Sequence, residues 1–126
     1  MRVSYICADP GVPVFGSKGA SVHVQEVVHA LRRAGHEVVV HAARRGSLVP
    51  ADLTDLEVVE APVRASDPAR REREQAGISR RIAHDVLAGG TDLVYERYSL
   101  FSTALADVSR PGGRSRGRKA TSTRAA

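Results

Sequence analysis

Two short segments of this chain contain residues whose types and spacing suit the binding of a phosphorylated ligand. The first is the loop Asp9–Gly19 (DPGVPVFGSKG), in which glycines allow the backbone to turn sharply and to approach a ligand closely. The residues after this loop have the pattern of a helix, and the N–H groups at the start of a helix attract anions such as phosphate. The second segment is Glu96-Arg97-Tyr98, which places an acid, a cation and a phenol directly after an apolar run.

The elements that would position these segments can be predicted from hydrophobic periodicity. Strand patterns lie at residues 3–8, 36–43, 56–63 and 92–95, and helix patterns lie at residues 20–34, 67–89 and 100–109. In the first helix, an apolar stripe marks the face that packs on a sheet; it consists of Val24, Val27, Val28 and Leu31. In the second helix, Gly77 predicts a break that divides the helix into two pieces.

The order of these elements predicts an α/β fold, a Rossmann-like parallel sheet with flanking helices. Consecutive valines in the second strand indicate cover on both faces, and Pro62 indicates that the third strand lies at an edge. In a doubly wound sheet of order 3-2-1-4, the first and fourth strands are neighbours, and ligands bind beyond their carboxyl ends. We therefore expect the loop Asp9–Gly19 and the segment Glu96-Arg97-Tyr98 to face one crevice.

Residues 110–126 differ sharply in composition from the rest of the chain. They contain six of the 19 lysines and arginines and no acid, so residues 1–109 keep 13 basic and 14 acidic side chains, a net charge of −1. This near-neutral body argues against a nucleic-acid-binding domain surface. A chain of 126 residues has room for one core, and the tail has no aliphatic residue larger than alanine. We therefore predict one domain at residues 1–109 and a disordered basic tail at residues 110–126.

Three interpretations of this tail remain open. It could be an arm that binds nucleic acid, in which case binding would depend steeply on salt and would be lost when residues 110–126 are deleted. It could equally be a solvated terminus, or a sequence read out of frame after a truncation.

Several familiar kinds of site are disfavoured by the spacing of their residues. The segment Gly11–Lys18 imitates a Walker loop, but Ser17 precedes the lysine and no hydroxyl follows it to hold magnesium. The dinucleotide pattern G-x-G-x-x-G is absent after the first strand, and the five histidines include no i, i+4 pair. The glycines are also compatible with a plain tight connection, and Glu96 with Arg97 is compatible with a solvated pair at a strand end.

The cysteine content and the N-terminus both favour a cytoplasmic location. Cys7 is the only cysteine, which excludes an internal disulfide and fits a reducing compartment. Asp9 and Pro10 interrupt the N-terminal apolar run too early for a signal peptide. No apolar run approaches the length of a membrane span.

Two segments, GVPVFGSKGASVHVQEVVHALRRAGHEVVV and DLVYERYSLF, resemble the N-terminal domain of family 4 glycosyltransferases. These enzymes have the GT-B fold, in which two Rossmann-like domains face each other across a cleft. The resemblance covers residues 1–109 and is most specific in the loop and helix that end in AGHEV. It implies that the chain is the incomplete, acceptor-side half of a retaining glycosyltransferase, which transfers a sugar from a nucleotide-sugar donor to an acceptor.

The resemblance also implies roles for the two segments. The family's first loop lies near the donor diphosphate, and the residues that match it are Gly16, Ser17 and Gly19. The residues after the fourth strand border the same cleft on the acceptor side, and here these are Glu96, Arg97 and Tyr98. No catalytic residue can be assigned from the resemblance.

The departures from the family limit what the chain is expected to do. The second domain, with its paired glutamates, is missing, and so are the strands that would cover the fourth strand, which leaves an exposed edge. We therefore expect residues 1–126 alone to have no transferase activity. The resemblance implies no cofactor, no metal and no specific nucleic-acid partner, and a peripheral membrane contact only in a full-length parent. The alternative is a small Rossmann-like binding or regulatory module without catalysis.

Overall fold

The chain forms an α/β fold built on a single parallel sheet. The computed structural model describes residues 1–62, 68–97, 108 and 121–125. Its elements in chain order are strand β1 (Arg2–Cys7), helix α1 (Gly19–Arg33), strand β2 (Glu37–Ala42), a short 3-10 helix (Ala51–Leu53), strand β3 (Glu57–Glu60), helix α2 (Pro68–Gly89), strand β4 (Leu93–Arg97) and strand β5 (Thr121–Ala125). The predicted Rossmann-like class is confirmed.

The sheet has the strand order β3-β2-β1-β4-β5, and all its strands are parallel. The central strand β1 lies between β2 and β4, with Tyr5 opposite Val40 on one side and Tyr95 on the other. The rings of Tyr5 and Tyr95 stack with their centroids 5.3 Å apart. This order confirms the predicted sequence 3-2-1-4 and the edge position of β3. The loops after β1, β2 and β4 therefore leave the same edge of the sheet.

Apolar side chains cover both faces of the sheet. On one face, α1 packs with the buried Val24 and Val28 at its centre, while Val27 and Leu31 are partly buried beside them. The predicted stripe on α1 is thus the packed face. On the other face, the described side chains of α2 include four buried apolar residues, namely Ile78, Ile82, Ala83 and Val86. Val108, which is helical and buried, belongs to the same cluster.

Helix α2 runs without interruption from Pro68 to Gly89, so the predicted break at Gly77 is wrong. A glycine inside a helix costs about 0.5–1 kcal/mol relative to alanine. Burial of the side chains of Ile78 and Ile82 directly after it stabilises the helix by more than this cost. Tertiary packing here outweighs a local preference.

The last strand, β5, differs from the sequence expectation of a tail that is disordered throughout. Thr121–Ala125 pairs in parallel with β4, placing Thr123 opposite Tyr95. The strand therefore lies on the edge of β4 that was expected to be exposed. Pairing of this kind uses backbone groups and needs no apolar side chain, which is why a criterion based on core residues does not detect it. The predicted helix at residues 100–109 lies outside the described residues apart from residue 108.

No helix in the described part of the chain combines the length and the apolar character needed to cross a membrane.

Candidate functional site

The loop Asp9–Gly19 is anchored at both its start and its middle. At its start, the Asp9 carboxylate accepts a hydrogen bond from the N–H of Gly11 at 2.8 Å, and the Asp9 carbonyl accepts one from Val12 at 3.1 Å. In its middle, Val14 and Phe15 are buried in the cluster under α1. The loop is therefore held in one shape by turn hydrogen bonds and by apolar anchors.

Two side chains of α1 reach back and bind carbonyl groups of the loop. The Ser21 hydroxyl donates to the carbonyl of Pro13 at 2.5 Å, and the Gln25 amide donates to the carbonyls of Val14 at 2.9 Å and Gly16 at 3.3 Å. A Cβ atom on Gly16 would lie 2.8 Å from the Ser21 hydroxyl and 2.9 Å from Pro13. Gly16 is thus required for the loop to pack on α1.

The end of the loop presents backbone donors that have no acceptor among the residues the structure describes. Within the described part of the chain, the N–H groups of Gly16, Ser17 and Lys18 donate no hydrogen bond to another residue. Helix α1 follows with Lys18 at its N-cap, no side-chain cap and no acidic residue in its first turn. The first N–H groups of a helix have no partner within the helix. Together these groups form a row of donors at the positive end of the α1 dipole.

These donors lie at a cavity of about 260 Å³ whose other wall is the loop after β2. Its lining residues come from these two loops alone; they are Gly11, Pro13, Phe15, Gly16, Ser17 and Lys18 from the first, and Arg44, Gly46, Ser47 and Leu48 from the second. We call this cavity the loop pocket. Lys18 and Arg44 supply two positive charges, and none of the lining residues is acidic. The charge and the donors both favour an anionic ligand.

The two walls of the loop pocket are fastened to each other through the backbone. The N–H of Val14 donates to the carbonyl of Arg44 at 3.1 Å, and that of Phe15 donates to the carbonyl of Arg45 at 2.8 Å. In return, the carbonyl of Phe15 accepts from Leu48 at 3.2 Å. Behind this contact, the N–H of Arg45 donates to the Glu60 carboxylate at 2.7 Å. The pocket is therefore preformed by main-chain geometry.

The predicted site residues of the second segment lie elsewhere on the same edge of the sheet. Glu96 is fully buried (0% exposed), on the face of β4 that it shares with Val94 and that packs toward α2. Arg97 is half-buried at the end of β4, and neither residue lines the loop pocket. Tyr98 lies outside the described residues. The structure thus brings Gly16 and Ser17 together in the pocket, with Gly19 beside them as the first residue of α1, and does not place Glu96 or Arg97 in that pocket.

The charge of Arg97 affects the pKa of Cys7, the last residue of β1 before the first loop. Burial raises the pKa of the Cys7 thiol to about 11, and the positive charge of Arg97 reduces this rise while the Asp9 carboxylate adds to it. The thiol is 1% exposed and lies 3.8 Å from the carbonyl of Val12 as a weak donor. Because its thiolate is strongly disfavoured, Cys7 is a packing residue rather than a nucleophile.

The chemistry of the loop pocket has to be assigned from its own residues. Comparisons with protein-family models, with curated proteins and with solved structures find no match to this chain. Among the described residues, no group of three or more histidine, cysteine, aspartate or glutamate side chains is arranged to hold a metal ion. The assignment therefore depends on the donors, the two cations and the shape of the cavity.

The second wall of the loop pocket was missed by the sequence analysis. Residues 44–54 have no periodicity, and only the strand order indicates that a loop following β2 lies beside the loop following β1. The consecutive cations Arg44 and Arg45, at the end of a predicted strand next to the glycine loop, were the available signal.

Proposed function

We propose that this chain is the acceptor-side half of a retaining glycosyltransferase, and that the end of its first loop binds the diphosphate of a nucleotide-sugar donor. In this proposal the donor is held between the loop and a second domain, so the chain by itself is inactive in transfer. The support from sequence is the resemblance of residues 1–109, and the support from structure is the loop pocket.

One observation carries the proposal. Three consecutive N–H groups, on Gly16, Ser17 and Lys18, have no acceptor among the described residues and lead directly into the uncapped start of α1. Donors arranged in this way complement several oxygens of one phosphate group, and Lys18 and Arg44 add positive charge beside them. A loop that served only as a connection would gain from a side-chain cap at this position, and α1 has none.

The chemical role of these groups in the proposal is electrostatic. As the bond between the sugar and the diphosphate breaks, negative charge builds up on the departing phosphate oxygens. Preformed N–H donors stabilise that charge without reorganising, which lowers the barrier to transfer. No proton has to be moved by Gly16, Ser17 or Gly19 for this purpose.

Two glycine-to-alanine variants test the proposal with the intact chain. A Cβ atom on Gly19 meets nothing within 4 Å, and the same is true of Gly77 in α2. Both substitutions should therefore leave the fold intact. Gly19→Ala would add a methyl group at the exposed first residue of α1, directly after the donors of Ser17 and Lys18 in the proposed site. We expect Gly19→Ala to weaken pyrophosphate binding about tenfold in calorimetry, and Gly77→Ala to leave it unchanged.

Equal affinity for pyrophosphate in the two variants would contradict the proposed diphosphate site. Competition separates the transferase half from a non-catalytic binding module. Nucleotide sugars should displace pyrophosphate from the loop if it serves a transferase. Displacement by inorganic phosphate but by no nucleotide sugar would favour the module.

A further inference from the structure

The outermost strand of the sheet, β5, is joined to it by main-chain pairing. Its sequence, TSTRA, contains no apolar side chain larger than that of alanine. The parallel register with β4 runs from Leu93 opposite Thr121 to Arg97 opposite Ala125, and such pairing links N–H and carbonyl groups. Polar residues occupy both sets of alternating positions in the sequence of β5. Strands of this kind specify their partner weakly and are prone to exchange between copies of a chain.

The neighbouring strand β4 is fixed in the sheet independently of β5. It pairs in parallel with β1 from Leu93 to Glu96, and its buried Val94 belongs to the cluster on the α2 face. On the opposite face, the ring of Tyr95 stacks on that of Tyr5 in β1. These contacts hold β4 from one side, and its other edge is the one that receives β5. A strand edge of this kind is a template for any strand that reaches it, including one from another chain.

The connection between β4 and β5 is long enough to serve either arrangement. It consists of residues 98–120, a length of chain that spans about 80 Å when fully extended. A folded domain of this size is only about 35 Å across. The length of the connection therefore allows β5 to reach β4 of its own chain or β4 of a neighbouring copy.

We propose that the edge of β4 is a strand-acceptor site for a second copy of this chain, and that two copies exchange β5 reciprocally in a closed twofold dimer. The exchanged strand keeps the register of Leu93 opposite Thr121, so the dimer needs no contact that the single chain lacks. The connection gives β5 an effective concentration on the order of 1 mM at its own β4. The exchanged dimer should therefore contain about a tenth of the chains at about 0.1 mM protein, and about tenfold less at about 10 μM. It forms whether or not the chain binds a diphosphate.

Mixing two full-length variants that each carry one added cysteine tests the exchange. Arg97→Cys and Ala125→Cys place thiols at partner positions of the β4–β5 register, where Cα atoms lie about 5 Å apart, a separation that suits a disulfide. After a brief oxidation pulse, mass spectrometry should find the mixed disulfide dimer in about a tenth of the chains at about 0.1 mM. Ala125→Cys mixed with Val22→Cys, an exposed position on α1, is the matched control for random collision. Cys7 should stay unlinked, because it is buried and its thiolate is disfavoured.

The double variant Arg97→Cys/Ala125→Cys establishes that the added cysteines report on β5. At about 10 μM, where exchange is rare, it should close a disulfide within one chain. If it does so, but the mixed single variants link no more than the Val22→Cys control at the higher concentration, β5 belongs to its own chain and the exchange is refuted. A double variant that closes no disulfide would also overturn the proposal, because β5 would then not occupy the edge of β4. Mixed linkage above the control that rises with protein concentration supports the exchange.

Discussion

The glycines around the loop pocket are required for different physical reasons. Gly16 leaves room for Ser21 and Pro13, and Gly46 combines a φ of 78° with close contact to the carbonyl of Phe15. Gly19 meets neither condition, since its Cβ position is open and its φ is not positive. The fold therefore does not explain the glycine at position 19, whereas the proposed approach of a phosphate to the start of α1 would.

His41 is the residue whose environment should make the stability of the fold depend on pH. It is 4% exposed, and its Nδ1 atom has no hydrogen-bond partner in the described part of the chain. Burial lowers its pKa to about 4, with the Asp85 carboxylate opposing this shift and Arg2 adding to it. The unfolded chain, whose histidine has its ordinary pKa near 6.5, therefore binds the proton more tightly than the folded chain does. Stability should fall as the pH drops from about 6.5 toward about 4.

We expect the free energy of unfolding to decrease by about 2 kcal/mol between pH 7 and pH 5 through His41 alone. Urea denaturation of the wild type and of His41→Leu at both pH values measures this, because the variant should lack that part of the pH dependence. His23→Gln, which changes an exposed histidine of α1, is the matched control. If His41→Leu and the wild type lose the same free energy between these pH values, His41 is not buried in its neutral form.

At the scale of elements, the loops after β1 and β2 form one unit. They exchange backbone hydrogen bonds through Phe15, Arg45 and Leu48, and an isolated bridge joins Phe15 to Gly46. A Cβ atom on Gly46 would lie 2.3 Å from the Phe15 carbonyl oxygen. The shape of the loop pocket therefore depends on main-chain contacts between the two loops, and at Gly46 these contacts leave no room for a Cβ atom.

Replacing Gly46 by alanine should destabilise the chain more than an equivalent change elsewhere. Gly35, with a φ of 90° and open space at its Cβ position, serves as the control that carries the backbone strain alone. We expect Gly35→Ala to cost about 1 kcal/mol and Gly46→Ala to cost about 2–3 kcal/mol, because the loops must also separate. Chemical denaturation measures both values. Equal costs would show that the close contact between the loops adds nothing.

The sequence predicts the elements of this fold better than it predicts the walls of the pocket. The apolar runs in β1 and β2, and the stripe of Val24 and Val28 in α1, indicate which residues are buried. They predict the elements, and doubly wound topology then gives the strand order 3-2-1-4. The wall at residues 44–48 depends on main-chain hydrogen bonds and on the φ of Gly46, which leave no periodic signal. The same reason explains β5, whose pairing with β4 involves backbone groups.

At the scale of the whole molecule, the excess of positive charge and the proposed phosphate site lie in different parts of the chain. Residues 1–109 carry a net charge of −1, whereas residues 110–126 hold six cations and no acid. A phosphate attracted only by net positive charge would therefore bind to residues 110–126. One that recognises the loop would bind to a body that is slightly negative overall, through the local donors at the start of α1.

Amide chemical shifts of residues 1–126 during a titration with pyrophosphate test the diphosphate site most directly. We expect the largest shifts at Gly16, Ser17, Lys18 and Gly19. Saturation should persist when the four cations before β5 are replaced by glutamine, a change that leaves Thr121–Ala125 intact; they are Arg114, Arg116, Arg118 and Lys119. Shifts confined to the basic tail, or lost when these charges are removed, would contradict a diphosphate site at the loop.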